Sequence, residues 1–343
     1  MRALVMKRPG GPEVLAVEER PDLLPAAGEV LVEVARAGLN FTDLAARVGL
    51  YPDAPPFPLV SGYEFAGTVE APGPGAAGFA PGDRVVGMCK FGGQASQVVV
   101  PAAQLRKVPA ALSLDEAAAL PVNYLTAYHL LFHVAPLQPG MTVLVHMAAG
   151  GVGLAALQLA LTRPRVVVLG TASPSKHSFL REKGLHHPID SRAGDYGRRV
   201  RELTQGKGVH RVLDPLGGPD WARNADLLRP AGHLLCYGWA NMISGERRNL
   251  FTVATQFLRL KHWNALELMG KNLSVSGVNM GRMWDEVELM GRHFDALIEL
   301  AAKGVVKPHV DSVWTLAKAA EAHAHLQARK SVGKVVLDCE AGG

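Results

Sequence analysis

Three glycines within four positions stand in the middle of an uncharged stretch of the chain. Residues 143–160, VLVHMAAGGVGLAALQLA, contain no acidic residue, lysine or arginine. The β-branched residues before the glycines predict a buried strand, and the Ala- and Leu-rich residues after them predict a helix. Glycine is needed where the chain turns tightly between the two. This order of elements favours a dinucleotide-binding unit over the alternative, a membrane span.

The turn itself, AAGGVG, departs from the usual three-glycine pattern because Ala148 occupies the position of the first glycine. Gly150 allows the backbone to approach a pyrophosphate, and Gly153 allows the helix to pack closely on the strand. The N–H groups at the helix N-terminus would bind the anion. Close packing alone is the alternative explanation of these glycines. The coenzyme contacts predicted from this turn are Ala149, Gly150, Gly151 and Val152.

The end of the following strand, RVVVLG, indicates which coenzyme binds. An NAD site places an acid about 20 residues after the glycines, where it binds the ribose 2′-hydroxyl. Here Ala172 is nearest that position, no acid precedes Glu182, and Ser173 and Lys176 follow. A hydroxyl and an ammonium would bind a 2′-phosphate, which a carboxylate would repel. The pattern therefore favours NADPH, with a merely solvated Lys176 as the alternative.

Composition excludes several other classes of protein. The chain has 343 residues and is 48% hydrophobic, which suggests two domains with full cores. Its net charge of +5 is spread without a run of five basic residues, so we expect no nucleic-acid partner. Three distant cysteines predict neither a disulfide framework nor a zinc ribbon. With no signal-peptide pattern at the N-terminus, we expect a cytoplasmic protein.

The pattern of strand-like and helix-like segments changes twice along the chain. Up to about Pro109, short strand-like segments alternate with Gly and Pro, which predicts a mostly β module. Ser113 and Glu116 form a capping box that starts a helix. From Met141 onwards strands alternate with helices, as in a parallel sheet covered on both faces. The strand-like end, GKVVLDC, is expected to pair back with the N-terminal module.

Longer stretches are more specific than the glycine turn, and they cover nearly the whole chain. They are AGLNFTDLAARVGLYP, GYEFAGTVE, AAALPVNYLTAYHLL, AAGGVG, DPLGG and GKVVL. With them the chain resembles the medium-chain dehydrogenase/reductase superfamily and, within it, the zinc-free quinone oxidoreductase group. It most nearly resembles the vesicle amine transport protein branch, through LPVNYLTAYHLLF, VLVHMAAGGVG, GTASPSKH and KPHVDSVW. The resemblance implies an α/β protein with a GroES-like catalytic domain, residues 1–118 and 308–343, around a Rossmann NADPH-binding domain, residues 119–307. It also implies a homodimer joined through the edges of the Rossmann sheets.

The zinc-binding members of this superfamily hold their catalytic metal with cysteine and histidine. The corresponding residues here are Asn40, Tyr63, and Val122 or Asn123. None is a good zinc ligand, and such a site needs three protein donors. His129 and His133 are spaced for one helical face, but no third ligand is evident nearby. We therefore expect no bound metal.

Without a Lewis acid, the substrate must already be electrophilic, which indicates a quinone or an enone. The resemblance implies that Asn40 and Thr126 line the nicotinamide end of the cleft and that Tyr51 faces the substrate. Tyr51 and Tyr63 could donate a hydrogen bond or a proton to a developing oxyanion, or could serve only packing. The candidate catalytic residues are Asn40, Tyr51, Tyr63 and Thr126. A tyrosine common in the group is Ala45 here, which would widen the pocket.

Further coenzyme contacts are implied by the resemblance alone. One of them, Ser191, replaces a tyrosine of several relatives, so a stacking contact near the 2′-phosphate is expected to be lost. The contacts outside the glycine turn are Asn40, Thr126, Ser173, Lys176, Ser191, Leu216, Tyr237, Gly238, Arg329 and Ser331.

Two other functions remain open. Relatives of the same architecture include enoyl-thioester reductases, which reduce a different activated alkene. The vesicle branch suggests a non-catalytic binding protein at a lipid surface, and residues 245–269 form a basic amphipathic segment of the kind that lies on anionic lipid. We favour a role for this segment in covering the cleft or in a dimer contact, and expect no membrane partner.

Overall fold

The computed structural model describes residues 1–243, 245 and 247–340. The strands are β1 (Arg2–Met6), β2 (Leu15–Glu19), β3 (Glu29–Leu39), β4 (Leu59–Val60), β5 (Glu64–Pro72), β6 (Arg84–Met88), β7 (Gln97–Pro101), β8 (Leu105–Lys107), β9 (Thr142–Val145), β10 (Val167–Ala172), β11 (His187–Asp190), β12 (Val209–Asp214), β13 (Leu228–Cys236), β14 (Ser274–Gly277), β15 (Val310–Thr315) and β16 (Lys334–Asp338). The helices are α1 (Phe41–Arg47), α2 (Leu114–Ala118), α3 (Pro121–Tyr128), α4 (Gly151–Leu161), α5 (His177–Glu182), α6 (Tyr196–Leu203), α7 (Asp220–Ala225), α8 (Leu250–Leu258), α9 (Ala265–Lys271), α10 (Val287–Ala302) and α11 (Ala319–Gln327).

One compact unit contains residues 1–125, 245–248 and 281–343, as far as these are described. Its larger sheet has the strand order β15-β16-β3-β5-β6-β8, with β7 also paired to β3, and a smaller sheet has the order β2-β1-β4. The inward residues of β3 and β5, among them Val32, Val34 and Phe65, are almost fully buried. This is the mostly β, GroES-like module expected from the sequence.

The C-terminal strand belongs to this first unit, as its sequence predicts. Strand β16 pairs antiparallel with β3, with Val335 opposite Leu39 and Asp338 opposite Arg36. Arg36 also donates to Asp115 over 2.6 Å and to Asp338 over 2.9 Å, so an ion pair reinforces the pairing. The two ends of the chain therefore share one sheet.

The second unit contains residues 126–244 and 249–280, as far as these are described. Its six-stranded sheet has the order β11-β10-β9-β12-β13-β14, and every neighbouring pair is parallel. The alternating strands and helices predicted after Met141 are confirmed. Strand β11 was not predicted from the sequence, because its residues, HPID, lack an apolar run. Leu144, Leu169 and Val212 form part of the buried core of this sheet.

The strand, turn and helix predicted around the glycines are all present. Strand β9 ends at Val145, and α4 begins at Gly151. A Cβ on Gly153 would lie 2.7 Å from the Cα of Ala148, so glycine is required where the helix meets the turn. No helix within the described residues is long and apolar enough to cross a membrane.

Replacing Gly153 with Ala tests this close packing. The new Cβ would collide with backbone atoms of the turn, so we expect the free energy of unfolding to fall by about 1–3 kcal/mol. The matched control is Gly270→Ala in α9, where an added Cβ meets no atom within 4 Å. There, better helix propensity should raise stability by about 0.5–1 kcal/mol. Urea unfolding measures both, and equal effects would show that Gly153 is not sterically required.

Candidate active site

A buried polar cluster in the first unit begins where β3 ends. Asn40 precedes the first residue of α1, and its backbone N–H donates to Asp43 Oδ2 over 2.7 Å. The Gly62 N–H donates to the other oxygen, Oδ1, over 3.2 Å. Both Asn40 and Asp43 are buried, at 6% and 0% exposure. Asp43 therefore caps the helix and also ties it to the loop before β5.

Glu64 accepts hydrogen bonds from three donors in the same cluster. Its Oε1 accepts from Asn40 Nδ2 over 2.8 Å, and its Oε2 accepts from the Val122 N–H over 2.7 Å. Lys334 forms an ion pair with Oε1, and its Nζ also donates to Asn40 Oδ1 over 2.5 Å. The side chains of Lys334 and Glu64 are 3% and 0% exposed. This pair is a buried charge interaction, not a surface one.

Lys334 is the residue that the sequence analysis missed. Arg47 and Arg329 are other cations of the first unit, but the cation paired with Glu64 is Lys334. Arg47 donates to Gln327 Oε1 over 2.6 Å, and Arg329 is exposed on the turn after α11. The sequence signal that could have identified Lys334 is the terminal GKVVL stretch. Because this strand pairs antiparallel with β3, its first residue must lie beside Asn40, the residue that follows β3.

A small residue on β3 makes room for this cluster. A Cβ on Gly38 would lie 2.7 Å from the Cγ of Glu64. Glycine at this position therefore allows the carboxylate to lie against the strand and reach Asn40.

Burial raises the pKa of Asp43 to about 7, despite the two N–H groups it accepts from and the nearby positive charge of Lys334. Taking a carboxylate out of water disfavours its charged form. The cluster thus contains a carboxyl group, that of Asp43, with a pKa near neutral pH beside a buried ion pair.

Three aromatic rings lie next to the cluster. Tyr63 packs against Phe91 at a centroid distance of 4.7 Å and against Tyr51 at 6.1 Å, edge to face. Burial raises the pKa of both tyrosines, and that of Tyr63 strongly. Among the described residues no hydrogen-bond partner reaches the Tyr63 hydroxyl, which is fully buried. A buried phenol without a partner is available to donate to a ligand.

The glycine turn lies in the second unit at the carboxyl end of β9. Met147 adopts a positive φ of 51°, and Gly150 precedes α4 without a side-chain cap. The first N–H groups of this eleven-residue helix are thus not capped by the residue before it. Together with the lack of a side chain at Gly150 and the close packing of the helix at Gly153, these features fit the pyrophosphate of a dinucleotide.

A buried hydrogen-bonded network is bonded to the backbone of this turn. His146 is 1% exposed, and its Nδ1 and Nε2 lie 3.0 Å from Thr171 Oγ1 and 2.9 Å from Asn224 Oδ1. Thr171 Oγ1 also accepts from the Met147 N–H over 3.3 Å. Because Asn224 Oδ1 can only accept, the contact with His146 is made by an N–H at Nε2, and Nδ1 faces the Thr171 hydroxyl.

The network continues to the loop after β12. Asn224 Nδ2 donates to Asp214 Oδ2 over 2.7 Å, and Asp214 Oδ1 accepts from the Leu216 N–H over 2.6 Å. Burial raises the pKa of Asp214. The Tyr237 N–H donates to the Asp214 carbonyl over 3.0 Å, and a Cβ on Gly238 would lie 2.7 Å from the Pro215 carbonyl oxygen. The predicted contacts Leu216, Tyr237 and Gly238 therefore lie side by side.

The residues predicted to select the coenzyme also lie together. Ser173 and Lys176 occupy the turn that follows β10, and the Ser191 N–H donates to the Ala172 carbonyl over 2.9 Å. The structure adds Arg192, an exposed cation directly after Ser191.

An acid does lie on the neighbouring strand. Asp190 is the register partner of Ala172, and its Oδ1 accepts the Arg192 N–H over 2.8 Å. Counting about 20 residues after the glycines can find an acid only on β10, so it could not find Asp190, which lies on the neighbouring strand.

The remaining predicted residues divide between the two units. Thr126 is buried in α3 and belongs to the second unit. Arg329, with a positive φ of 56°, and the buried Ser331 belong to the first, on the turn between α11 and β16.

The chain is similar to characterised proteins over nearly its full length. It is 44% identical to the synaptic vesicle membrane protein VAT-1 homolog of Rattus norvegicus over 339 residues, 98% of this chain and 84% of the relative. The chain belongs to the medium-chain dehydrogenase/reductase superfamily. Within the superfamily it is quinone oxidoreductase-like and similar to the VAT-1 homologs, as its sequence stretches indicate.

Solved structures and family models agree with this assignment. The Escherichia coli quinone oxidoreductase complexed with NADPH superimposes with a TM-score of 0.87 at 31% identity, covering 98% of this chain and 100% of that one. The CurK enoyl reductase gives 0.85 at 29% identity, covering 98% of both chains. Residues 26–110 match a family model described as an alcohol dehydrogenase GroES-like domain, and residues 183–337 match one described as a zinc-binding dehydrogenase.

The donor set of this chain does not fit the zinc ion that the last description implies. Within the described residues, no group of three or more His, Cys, Asp or Glu side chains could hold a metal. The amide of Asn40 is bonded to Glu64 and Lys334, and the ammonium of Lys334 would repel a metal cation there. His129 and His133 stack on each other at 4.9 Å, without a third ligand in that group.

Asp43→Asn tests the electrostatics of the cluster. Because the pKa of Asp43 rises from 3.8 unfolded to about 7 folded, the folded state binds the extra proton between these values. The contribution of this carboxyl to stability is therefore present at low pH and lost as the pH rises towards 7, with a slope of at most about 1.4 kcal/mol per pH unit. Asparagine should remove that slope.

Urea unfolding of wild type and Asp43→Asn measures the difference in slope. The range from about pH 5 to about pH 7.5 covers roughly the upper half of the interval between the two pKa values. Asp83→Asn is the control, because Asp83 is only partly buried and its bond to Lys107 lowers its pKa. Its variant should keep the wild-type slope. Parallel curves for wild type and Asp43→Asn would contradict the assignment of a near-neutral carboxyl.

Proposed function

We propose that this protein is a metal-independent, NADPH-dependent reductase that transfers hydride to a quinone or to an activated alkene such as an enone. The observation that carries the proposal is the buried cluster of Asn40, Glu64 and Lys334, which supplies hydrogen-bond donors and a fixed positive charge where zinc-binding relatives need metal ligands. An acceptor that is already electrophilic needs no Lewis acid.

The coenzyme proposal rests on the second unit. The uncapped start of α4 suits the pyrophosphate, and the loop carrying Leu216, Tyr237 and Gly238 suits the nicotinamide ribose. NADPH, when bound, supplies the hydride. Ser173, Lys176 and Arg192 offer a hydroxyl and two cations to the 2′-phosphate, where charge-assisted hydrogen bonds are strongest. Similarity to a quinone oxidoreductase crystallised with NADPH supports the choice.

In the reaction, this chain's residues orient the acceptor and stabilise charge on its oxygen. Asn40 Nδ2 has a second N–H after its bond to Glu64, and the Tyr63 hydroxyl has no described protein partner. Both are donors to a developing oxyanion. Because its raised pKa keeps Tyr63 protonated at neutral pH, it acts as a donor and not as a base. Tyr51, packed edge to face with Tyr63, would border the acceptor.

We also propose a homodimer formed through β14, the strand at one edge of the six-stranded sheet. An edge strand presents unpaired N–H and C=O groups to a second chain.

Enoyl-thioester reduction is the second candidate, because the CurK enoyl reductase is similar over 98% of the chain. It requires the same coenzyme and the same oxyanion donors, so only the acceptor distinguishes it. A lipid-surface role is the third, because α8 exposes Phe251 at 78% and Leu258 at 86%. Glu246, an acid of that amphipathic segment, lies outside the described residues.

The test is a panel of NADPH-oxidation assays with quinones, enones and enoyl thioesters, using chelator-treated protein of known metal content. We expect turnover with quinones or enones and no oxidation of simple alcohols. Preferential thioester turnover would favour the second candidate. No turnover, together with co-sedimentation with anionic liposomes, would favour the third.

Lys176→Ala tests the choice of coenzyme. Loss of a charged hydrogen bond should weaken NADPH binding by about 1–2 kcal/mol and leave NADH binding nearly unchanged. Arg192→Ala should act in the same direction, and Lys207→Ala, an exposed lysine of the same unit, is the matched control. Fluorescence titration measures the dissociation constants. Equal loss for both coenzymes would show that Lys176 does not contact the 2′-phosphate.

A further inference from the structure

We infer that Lys334, acting with Glu64, is a positioning residue that sets the orientation of the Asn40 side-chain amide for hydride transfer. The inference rests on the proposed function and extends it to residues that do not touch the acceptor. Lys334 comes from the far end of the chain, 294 residues after Asn40.

The chemistry of the three side chains allows only one orientation of the amide. An ammonium only donates hydrogen bonds, and a carboxylate only accepts them. Lys334 Nζ donates to Asn40 Oδ1 over 2.5 Å, and Asn40 Nδ2 donates to Glu64 Oε1 over 2.8 Å. A flipped amide would place its NH₂ against the ammonium and its oxygen against the carboxylate. The ion pair therefore fixes which end of Asn40 is the donor.

The backbone around Lys334 is itself held in place. Gly333 adopts a positive φ of 78°, and the Lys334 N–H donates to the His309 carbonyl over 2.9 Å. The next residue, Val335, is in register with Leu39, the residue before Asn40. The lysine thus reaches Asn40 from a strand with a fixed register, and not from a flexible tail.

A purely structural role does not explain this arrangement well. A buried ion pair contributes little net stability compared with apolar side chains of similar volume. Glu64 is also bonded to the Val122 N–H, so the pair fixes the Asn40 amide relative to the start of α3. Because one Nδ2 N–H donates to Glu64 Oε1, the second N–H is the donor left for the acceptor oxygen. Its direction follows from the orientation of the amide.

The test is a double-mutant cycle between Lys334→Met and Asn40→Ala, read in three ways. Single-turnover oxidation of NADPH gives the hydride-transfer rate, fluorescence titration gives the NADPH dissociation constant, and thermal melting of the coenzyme-free protein gives stability. Because Lys334→Met leaves a buried carboxylate without its counter-ion, the double variant Lys334→Met/Glu64→Gln removes both charges and keeps a foldable protein.

We expect Lys334→Met and the charge-free double variant to slow hydride transfer at least tenfold, with the NADPH dissociation constant within about threefold of wild type. In the Asn40→Ala background, Lys334→Met should slow transfer less than about twofold further, because a residue that acts through Asn40 has nothing left to orient. The decreases in melting temperature caused by Lys334→Met and Asn40→Ala should also be non-additive in the double variant. Arg36→Met, which breaks ion pairs elsewhere on β3, should lower the melting temperature without slowing transfer.

Two results would overturn the inference alone: an equal rate loss in both backgrounds, or a variant that melts lower but transfers hydride at the wild-type rate. A wild-type protein that oxidises no NADPH with any acceptor would instead overturn the proposed function, and this inference with it.

Discussion

A carboxylate taken out of water must be compensated, and the first unit is organised around that requirement. Glu64 is fully buried, and its counter-ion, Lys334, is supplied by the C-terminal strand through the pairing of β16 with β3. The pairing therefore has an electrostatic as well as a packing role. Without it, Glu64 would be an uncompensated buried charge, and Asn40 would lose the bond from Lys334 that fixes its amide. A strand at the end of the chain thus determines the chemistry of a residue near its beginning.

The second unit meets the same requirement with mostly uncharged groups. His146 and Asn224 connect Thr171, below the glycine turn, to Asp214, which accepts two backbone N–H groups of the loop after β12. A fully bonded network of this kind keeps loops in one conformation, because any displaced member leaves a buried polar group unsatisfied. The proposed coenzyme site thus has a rigid base, while the proposed oxyanion donors depend on the charge cluster of the first unit.

Local patterns in the sequence predict much of this, and contacts between distant segments account for what they miss. The glycine turn, the Ser113 capping box and the terminal strand follow from neighbouring residues, and all three are confirmed. The partner of Glu64 could not be found in this way, because several cations are chemically equivalent in sequence and only strand register selects Lys334. Strand β11 was missed because HPID does not alternate apolar and polar residues. The position of Arg192, which follows this strand, was therefore missed too. The roles of Asn40 and Tyr63 in catalysis remain predictions.

The central claim is that hydride passes to an activated acceptor without a metal, and isotope transfer tests it most directly. The experiment uses NADPH in which both C4 hydrogens are replaced by deuterium, a cyclic enone, and protein whose metal content has been reduced below stoichiometry by a chelator. The account predicts that deuterium appears on the β-carbon of the reduced ketone, at a rate the chelator does not change. A reduced ketone without deuterium on the β-carbon, or transfer that stops on chelation and returns with added zinc, would contradict it.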